Sequence, residues 1–247
     1  MPPAVVTAPE GPGLHSASRA VQPVPTYRCL TSLVGAILGL VAFGISGYAF
    51  VTADKRVDEV LLFGLPTPSP HSIPLGPRWL VELSWDATAL GSPGVVAVVL
   101  VCVSGYLWCI GRSAPATYLL ASVVSGGAFG YVVKRAFGLA RPHGFPALGT
   151  ESATSFPSGH ALLGALLLTS LAMVAVRCAP KEKQARTAAV SFGAAVLISG
   201  AIGLSRVHLR LHWPTDVAAG WVLGAGWAIL FGLSSRPRKG SSEREQV

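Results

Sequence analysis

The chain has 247 residues, of which 51% are hydrophobic and only 12% charged, and it carries a net charge of +8. A soluble domain carries about 25% charged residues, and with a mean hydropathy of +0.55 this composition excludes both an ordinary soluble domain and a largely disordered chain. The basic balance points to nucleic acid, a membrane surface or an anionic substrate. No soluble basic module is visible, so nucleic acid is not expected as a partner. The four cysteines contain no CxxC pair, and the eleven acids are scattered. Neither a disulfide framework, a zinc site nor a carboxylate-caged metal is indicated.

In chain order, residues 1–27 are rich in Pro and Ala and are expected to form a disordered tail. They do not read as a signal peptide, because no basic stretch leads directly into a short apolar core. Six uncharged apolar runs follow: Thr31 to Val51, Ala87 to Gly111 (dense from Val95 onward), Ala116 to Val133, Ala161 to Val176, Thr187 to Leu204 and Val217 to Ser235. A spanning helix needs about 20 mostly apolar residues. These runs lack the alternation of a barrel strand, and in hydrocarbon only helices or closed barrels satisfy the backbone. The expectation is an all-α, integral-membrane bundle of six transmembrane helices over residues 28–235, followed by a basic tail at 236–247. Abundant Gly and Ala suit close helix packing in lipid. In the first loop, Trp79, Leu80, Val81, Leu83 and Trp85 read equally as an interfacial amphipathic segment or as a cap touching only protein.

Orientation follows from Lys and Arg in the loops. With six spans, the side holding both tails carries eleven of these cations and the other side eight. Both termini are therefore expected in the cytoplasm. The segments around Lys134–His160 and Arg206–Asp216 then face outward, at what is expected to be the plasma membrane.

Three polar clusters end the apolar runs on that outer side: Lys134 to Pro142, Pro157-Ser158-Gly159-His160, and Ser205 to Asp216. Physically they read as a phosphate site with its own nucleophile. Lys134 and Arg141 are two helical turns apart, so one helix end presents both, Arg as a bidentate fork and Lys as a point charge. Ser158 and Gly159 open a helix whose free N–H groups suit an anion. His160 titrates near neutral pH. His212 and Asp216 are four apart, and a carboxylate on one imidazole nitrogen leaves the other free to attack. His143 and His208 are expected to be rim histidines, and Arg135 and Arg210 interface anchors. Glu82 and Asp86 read as a solvated face.

The order Lys-x6-Arg-Pro, Pro-Ser-Gly-His, Ser-Arg-x5-His-x3-Asp, complete over Lys134 to Asp216, resembles the type 2 phosphatidic acid phosphatase family, relatives of glucose-6-phosphatase and the vanadium haloperoxidases. The resemblance implies His212 as the nucleophile forming a phosphohistidine, Asp216 as its orienting partner and His160 as the general acid for the leaving group. It implies Lys134, Arg141, Arg206, Ser158 and Gly159 as the phosphate clamp. Because cations take the place of a metal, no metal or other cofactor is expected. The implied activity is hydrolysis of a phosphorylated membrane lipid, with phosphatidic acid, phosphatidylglycerol phosphate and polyprenyl diphosphate as candidates. The alternatives are a vanadate-dependent haloperoxidase on the same anion site and a catalytically silent anion-binding membrane protein. The motif does not specify the lipid, the oligomeric state, or the roles of the first loop and the Pro-rich start.

Overall fold

A computed structural model of the chain describes residues 58, 76–137 and 154–234. The first apolar run, Thr31 to Val51, both tails, His143 and Arg141 lie outside the described residues. Within them the secondary structure is helical: α1 (Arg78–Ala89), α2 (Pro93–Cys109), α3 (Ser113–Phe137), α4 (Gly159–Cys178), α5 (Gln184–His208) and α6 (Pro214–Ser234), with a single 3₁₀ turn at Lys181–Lys183 before α5.

Four of these helices are long and apolar enough to cross a membrane, and α1 and α2, bent by 50° at their junction, make a fifth if they count as one span. This corrects the second expected run. Residues from Ala87 to Ala89 belong to α1, and α2 starts only at Pro93. The break has a local cause. Pro93 suits the first helical position but cannot continue a preceding helix. Ser92 accepts a hydrogen bond from the Val95 amide at 3.3 Å and so caps the new start. The later runs extend beyond their expected limits at both ends, except that the last helix stops at Ser234, one residue short of its run. Helical hydrogen bonding continues through polar residues at which an apolar count stops, and Lys134, Gly159, His160, Arg206 and Asp216 stand in these extensions.

Helix α4 sits at the centre, packed against α2, α3, α5 and α6. Its inward side is made of small and aliphatic residues, among them Ala161, Ala165, Leu166 and Ala172, all nearly inaccessible. Helix α6 approaches it most closely through Gly220 and Gly224. A Cβ at Gly220 would stand 2.8 Å from the Ser158 carbonyl oxygen, and one at Gly224 would overlap the carbonyl of Leu162. Small residues four apart are how helices meet backbone to backbone in lipid, where no hydrophobic force separates Leu from an acyl chain. Asp216, Gly220 and Gly224 share this spacing, so the glycines that close the seam also bring Asp216 against the start of α4. Interhelical hydrogen bonds lock the remainder: Ser122 to Ser170 at 3.1 Å, Tyr118 to the Ala228 carbonyl at 3.0 Å and Trp227 to Ser125 at 3.0 Å. Helix α5 lies at the periphery and turns Val190, Val196, Leu197 and Leu204 outward, as a lipid-facing helix does.

Candidate active site

The site gathers where α3 and α5 end and α4 and α6 begin. Helix α5 ends at His208, and the chain reverses through Arg210, whose φ of 55° is left-handed. The Arg206 carbonyl accepts the amides of Leu211 at 3.0 Å and His212 at 3.3 Å, a left-handed closure of a helix C-terminus. This turn brings His212 back beside Arg206. Both are almost fully buried, at 1% and 2% exposure.

Asp216 stands in the first turn of α6. Its Oδ2 accepts the Trp213 amide at 3.0 Å, the reciprocal arm of a capping box. The same oxygen lies 3.4 Å from His212 Nδ1 and accepts a short hydrogen bond from Ser155 Oγ, which is itself 3.3 Å from His212 Nδ1. The imidazole therefore shares its carboxylate partner with a serine. Nδ1 is thereby turned to Asp216 and Ser155.

The Ser158 amide donates to the Asp216 carbonyl at 3.0 Å, so the start of α4 hangs directly on α6. Ser158 Oγ is buried and has no hydrogen-bond partner among the described residues. A buried hydroxyl without a partner is costly unless a ligand satisfies it. Gly159 and His160 follow, both half-buried in the first turn. Upstream, Phe156 packs edge-on against Phe137 with ring centroids 5.6 Å apart, which ties this loop to the end of α3. Lys134, in the last turn of α3, lines a cavity together with Pro157 and Gly159. Of the eight residues expected at the site, His212, Asp216, Arg206, Ser158, Gly159, His160 and Lys134 are thus gathered at one end of the bundle. Arg141 is not among the described residues.

Four contributors were not anticipated from sequence. Ser155 has just been described. Thr88 of α1 accepts from Arg206 Nη1 at 3.3 Å, and Ser84, one turn earlier, meets His208 Nδ1 at 2.8 Å. His208 is therefore a half-buried histidine bonded within the protein and not a fully solvated one. Asp58 accepts the Thr215 amide at 3.1 Å and the Thr215 hydroxyl, capping α6 beside Asp216. Burial raises the Asp58 pKa above its ordinary 3.8, an effect its Thr215 bonds partly offset and the nearby Asp216 charge reinforces. In the first-loop segment, α1 packs on α5 through Ser84 and Thr88 while Trp79 and Leu83 stay 64% and 55% exposed, so it is not a cap that touches only protein.

A buried imidazole–carboxylate pair, a buried guanidinium, a lysine and a helix start whose hydroxyl has no partner among the described residues thus stand together at one end of an apolar bundle. The model of the PAP2 superfamily matches residues 115–238, half of the chain, and the chain belongs to that superfamily. It is 31% identical to a lipid A 1-phosphatase of Rhizobium johnstonii over 46% of this chain and 45% of that one. It is 28% identical to phosphatidylglycerophosphatase B of Bacillus subtilis over 59% of this chain and 70% of that one. The match thus spans less than half the length of the first of these relatives. The fold is similar to the crystal structure of a transmembrane PAP2 type phosphatidylglycerolphosphate phosphatase from Bacillus subtilis, with a TM-score of 0.69 and 23% identity, covering 82% of this chain and 98% of that one.

Proposed function

We propose that this chain is a membrane-embedded, metal-independent lipid phosphatase that cleaves a lipid phosphomonoester or diphosphate through a phosphohistidine. The observation that carries the reading is the buried His212–Asp216 pair, set beside Arg206 and the unsatisfied Ser158 hydroxyl. His212 Nε2 attacks phosphorus in line, while Asp216 holds Nδ1–H and stabilises the imidazolium that develops. Arg206, Lys134, Arg141, the Ser158 hydroxyl and the Gly159 N–H neutralise the equatorial oxygens, where positioning and charge supply most of the catalysis in phosphoryl transfer. His160 gives its proton to the leaving oxygen, then takes one from the water that hydrolyses the phosphohistidine. The phosphorylated lipids named by the two Bacillus and Rhizobium relatives support a lipid substrate, and phosphatidic acid, phosphatidylglycerol phosphate and polyprenyl diphosphate are the first to test.

In this reading residues 31–51 supply the remaining span of a six-helix bundle. The tails at 1–27 and 236–247 lie in the cytoplasm and the site opens on the outer face of the plasma membrane, in keeping with the loop cations. The test is phosphate release by the purified protein from a panel of lipid phosphates and diphosphates, with sugar phosphates as controls. Release from a lipid that persists in EDTA and is blocked by vanadate is expected, since vanadate mimics the five-coordinate transition state. Loss in EDTA restored by magnesium would contradict the metal-free step. A cysteine at position 147 should react with an impermeant reagent in intact cells and one at 183 should not, and the reverse pattern overturns the topology.

A further inference from the structure

The end of the bundle opposite the active site carries a second group of cations. Arg112 precedes α3, Arg177 stands in the last turn of α4, and Lys181, Lys183 and Arg186 follow within the 3₁₀ turn and the first turn of α5. Glu182 is the one acid between Arg177 and Arg186. Between these helix ends and α6 lies a cavity of about 880 Å³, within the roughly 300–1,000 Å³ of pockets that enclose a ligand. Its described lining is graded along the helices. Ser113, Arg177 and Gln184 lie at the outer end, while Ala121 and Met173 lie about one to two helical turns deeper. Helix α4 has 20 residues and so spans about 30 Å, the thickness of the hydrocarbon core. The cavity and the active site therefore face opposite leaflets.

An arginine at a helix end ordinarily snorkels, with its stem on apolar surface and its head in water. Arg177 does otherwise. It is half-buried, its Nη2 donates to the Gly232 carbonyl at 2.6 Å, and its guanidinium carbon lies 4.2 Å from the centroid of the Tyr118 ring. Tyr118 in turn donates to the Ala228 carbonyl at 3.0 Å, so the ring under the cation is itself fixed. The ion pairs among the described residues are Arg78–Glu82 and His212–Asp216, so no described carboxylate neutralises Arg177. A guanidinium has five N–H donors, and the carbonyl takes one of them. A held, half-buried guanidinium at the mouth of an apolar cavity is complementary to an amphiphilic anion. The fork suits phosphate oxygens, Met173 and Ala121 suit hydrocarbon, and the surrounding lysines and arginines favour a net negative headgroup over a zwitterionic one.

We infer that this cavity binds an acidic phospholipid of the leaflet opposite the active site, with its phosphodiester on Arg177 and its hydrocarbon along Met173 and Ala121. Such a lipid is a resident ligand and not a substrate, because its phosphate lies a membrane thickness from His212. It joins the far ends of α3, α4 and α6, the three helices that carry Lys134, His160 and Asp216 at the other end. The inference rests on the placement of these helices in a membrane and not on the phosphatase reading.

The experiment uses the full-length purified protein in phosphatidylcholine vesicles that contain a phosphatidylglycerol with a photoreactive group in the first half of one chain. This lipid is a phosphodiester, so a phosphomonoesterase does not consume it. Labelling within residues 117–121 or 173–177 is expected. Unlabelled phosphatidylglycerol should compete with it, whereas added phosphatidylcholine and soluble glycerol phosphate should not. Arg177→Gln removes the fork and should reduce labelling of these segments about 10-fold or more, the scale of a hydrogen bond to a charged group. Ala121→Phe fills the deep end, leaves Arg177 in place and should reduce labelling as much, so it carries the test if Arg177→Gln does not fold. Lys134→Gln, at the other end of the bundle, should change labelling less than about 2-fold. Equal labelling by a photoreactive phosphatidylcholine, labelling confined to other segments, or labelling that Lys134→Gln abolishes and Ala121→Phe does not overturns the inference. So does a protein in which these segments take no lipid and a photoreactive residue at position 121 cross-links to residues 31–51, since the chain itself then fills the cavity.

Discussion

Two regions hold the site in different ways, the seam between α4 and α6 and the junction between α1 and α5. At the seam, backbone meets backbone. Gly220 lies on the Ser158 carbonyl, Gly224 on that of Leu162, and the Ser158 amide bonds the Asp216 carbonyl. At the junction, side-chain hydroxyls reach across: Thr88 to Arg206 and Ser84 to His208. Ser84 and Thr88 are the buried side chains of α1, whereas its large apolar residues Trp79 and Leu83 point outward. The helix is inverted relative to one from a soluble protein. The His212–Asp216 pair is thus set by main-chain geometry, which leaves no room for added atoms, while Arg206 is set by exchangeable side-chain hydrogen bonds. Changes at the seam should be near all-or-none, and changes at the junction graded.

Gly224→Val is the strongest test of that contrast. Its new Cβ overlaps the Leu162 carbonyl, and backbone atoms have no rotamer with which to give way. Overpacking in a tight core costs about 1–3 kcal/mol and more where the obstacle is main chain. Little monodisperse protein and no measurable phosphate release are expected. A well-folded, active Gly224→Val protein would show that the seam is not as rigid as described.

Ser155→Ala separates the carboxylate from its serine without touching the fold of the seam. A hydrogen bond to a charged group contributes about 1.5–3 kcal/mol, so kcat should fall by about 10- to 100-fold, with KM little changed. An equal change in KM with constant kcat would place Ser155 in substrate binding instead.

At the junction, Thr88→Val keeps the side-chain shape and removes the acceptor for Arg206. Hydrogen bonds between membrane helices average about 0.6 kcal/mol and reach about 1.7, so KM should rise about 3- to 20-fold. A loss as large as that expected for Asp216→Asn would erase the distinction between the regions.

The smallest effect concerns Asp58, which caps α6 from the first loop. Because its folded-state pKa is raised above 3.8, the folded protein retains a proton that the unfolded chain has released. Its contribution to stability is therefore greatest below 3.8 and declines as pH rises through the folded pKa. Asp58→Asn does not titrate. The wild-type melting temperature should fall relative to that of Asp58→Asn across this window, and parallel curves would show that the carboxyl is not the titrating group.

Much of this arrangement is legible in the sequence, because the chemistry-bearing residues stand at helix ends in fixed spacing. Arg206, His212 and Asp216 are joined by one turn and one helical start, both local. The paired glycines of α6 are equally local in spacing. The residues that were missed are those whose role exists only across distance in the chain. Thr88 meets Arg206 over 118 positions and Asp58 meets Thr215 over 157. No periodicity marks a Ser or Thr on α1 as inward-facing when hydrophobic patterning assigns the inside to its Trp and Leu residues. Ser155 sits three residues before Ser158, in a stretch with no helical or strand period to say where it points. The break at Ser92 was concealed because the apolar run continues across it, and its Ser-Pro signal is a cap and not a change in hydropathy.

In the proposed mechanism His212 carries the phosphoryl group, held for attack by Asp216. The direct measurement is rapid quench of the purified protein with a phosphorus-labelled substrate, followed by mapping of the acid-labile, base-stable phosphopeptide. One labelled peptide containing His212 is expected in the wild type and none in His212→Ala. Asp216→Asn should form the same phosphopeptide about two to four orders of magnitude more slowly, since loss of an orienting carboxylate leaves the imidazole in the wrong tautomer. A phosphohistidine that persists in His212→Ala, mapped to His160 or His208, would contradict it.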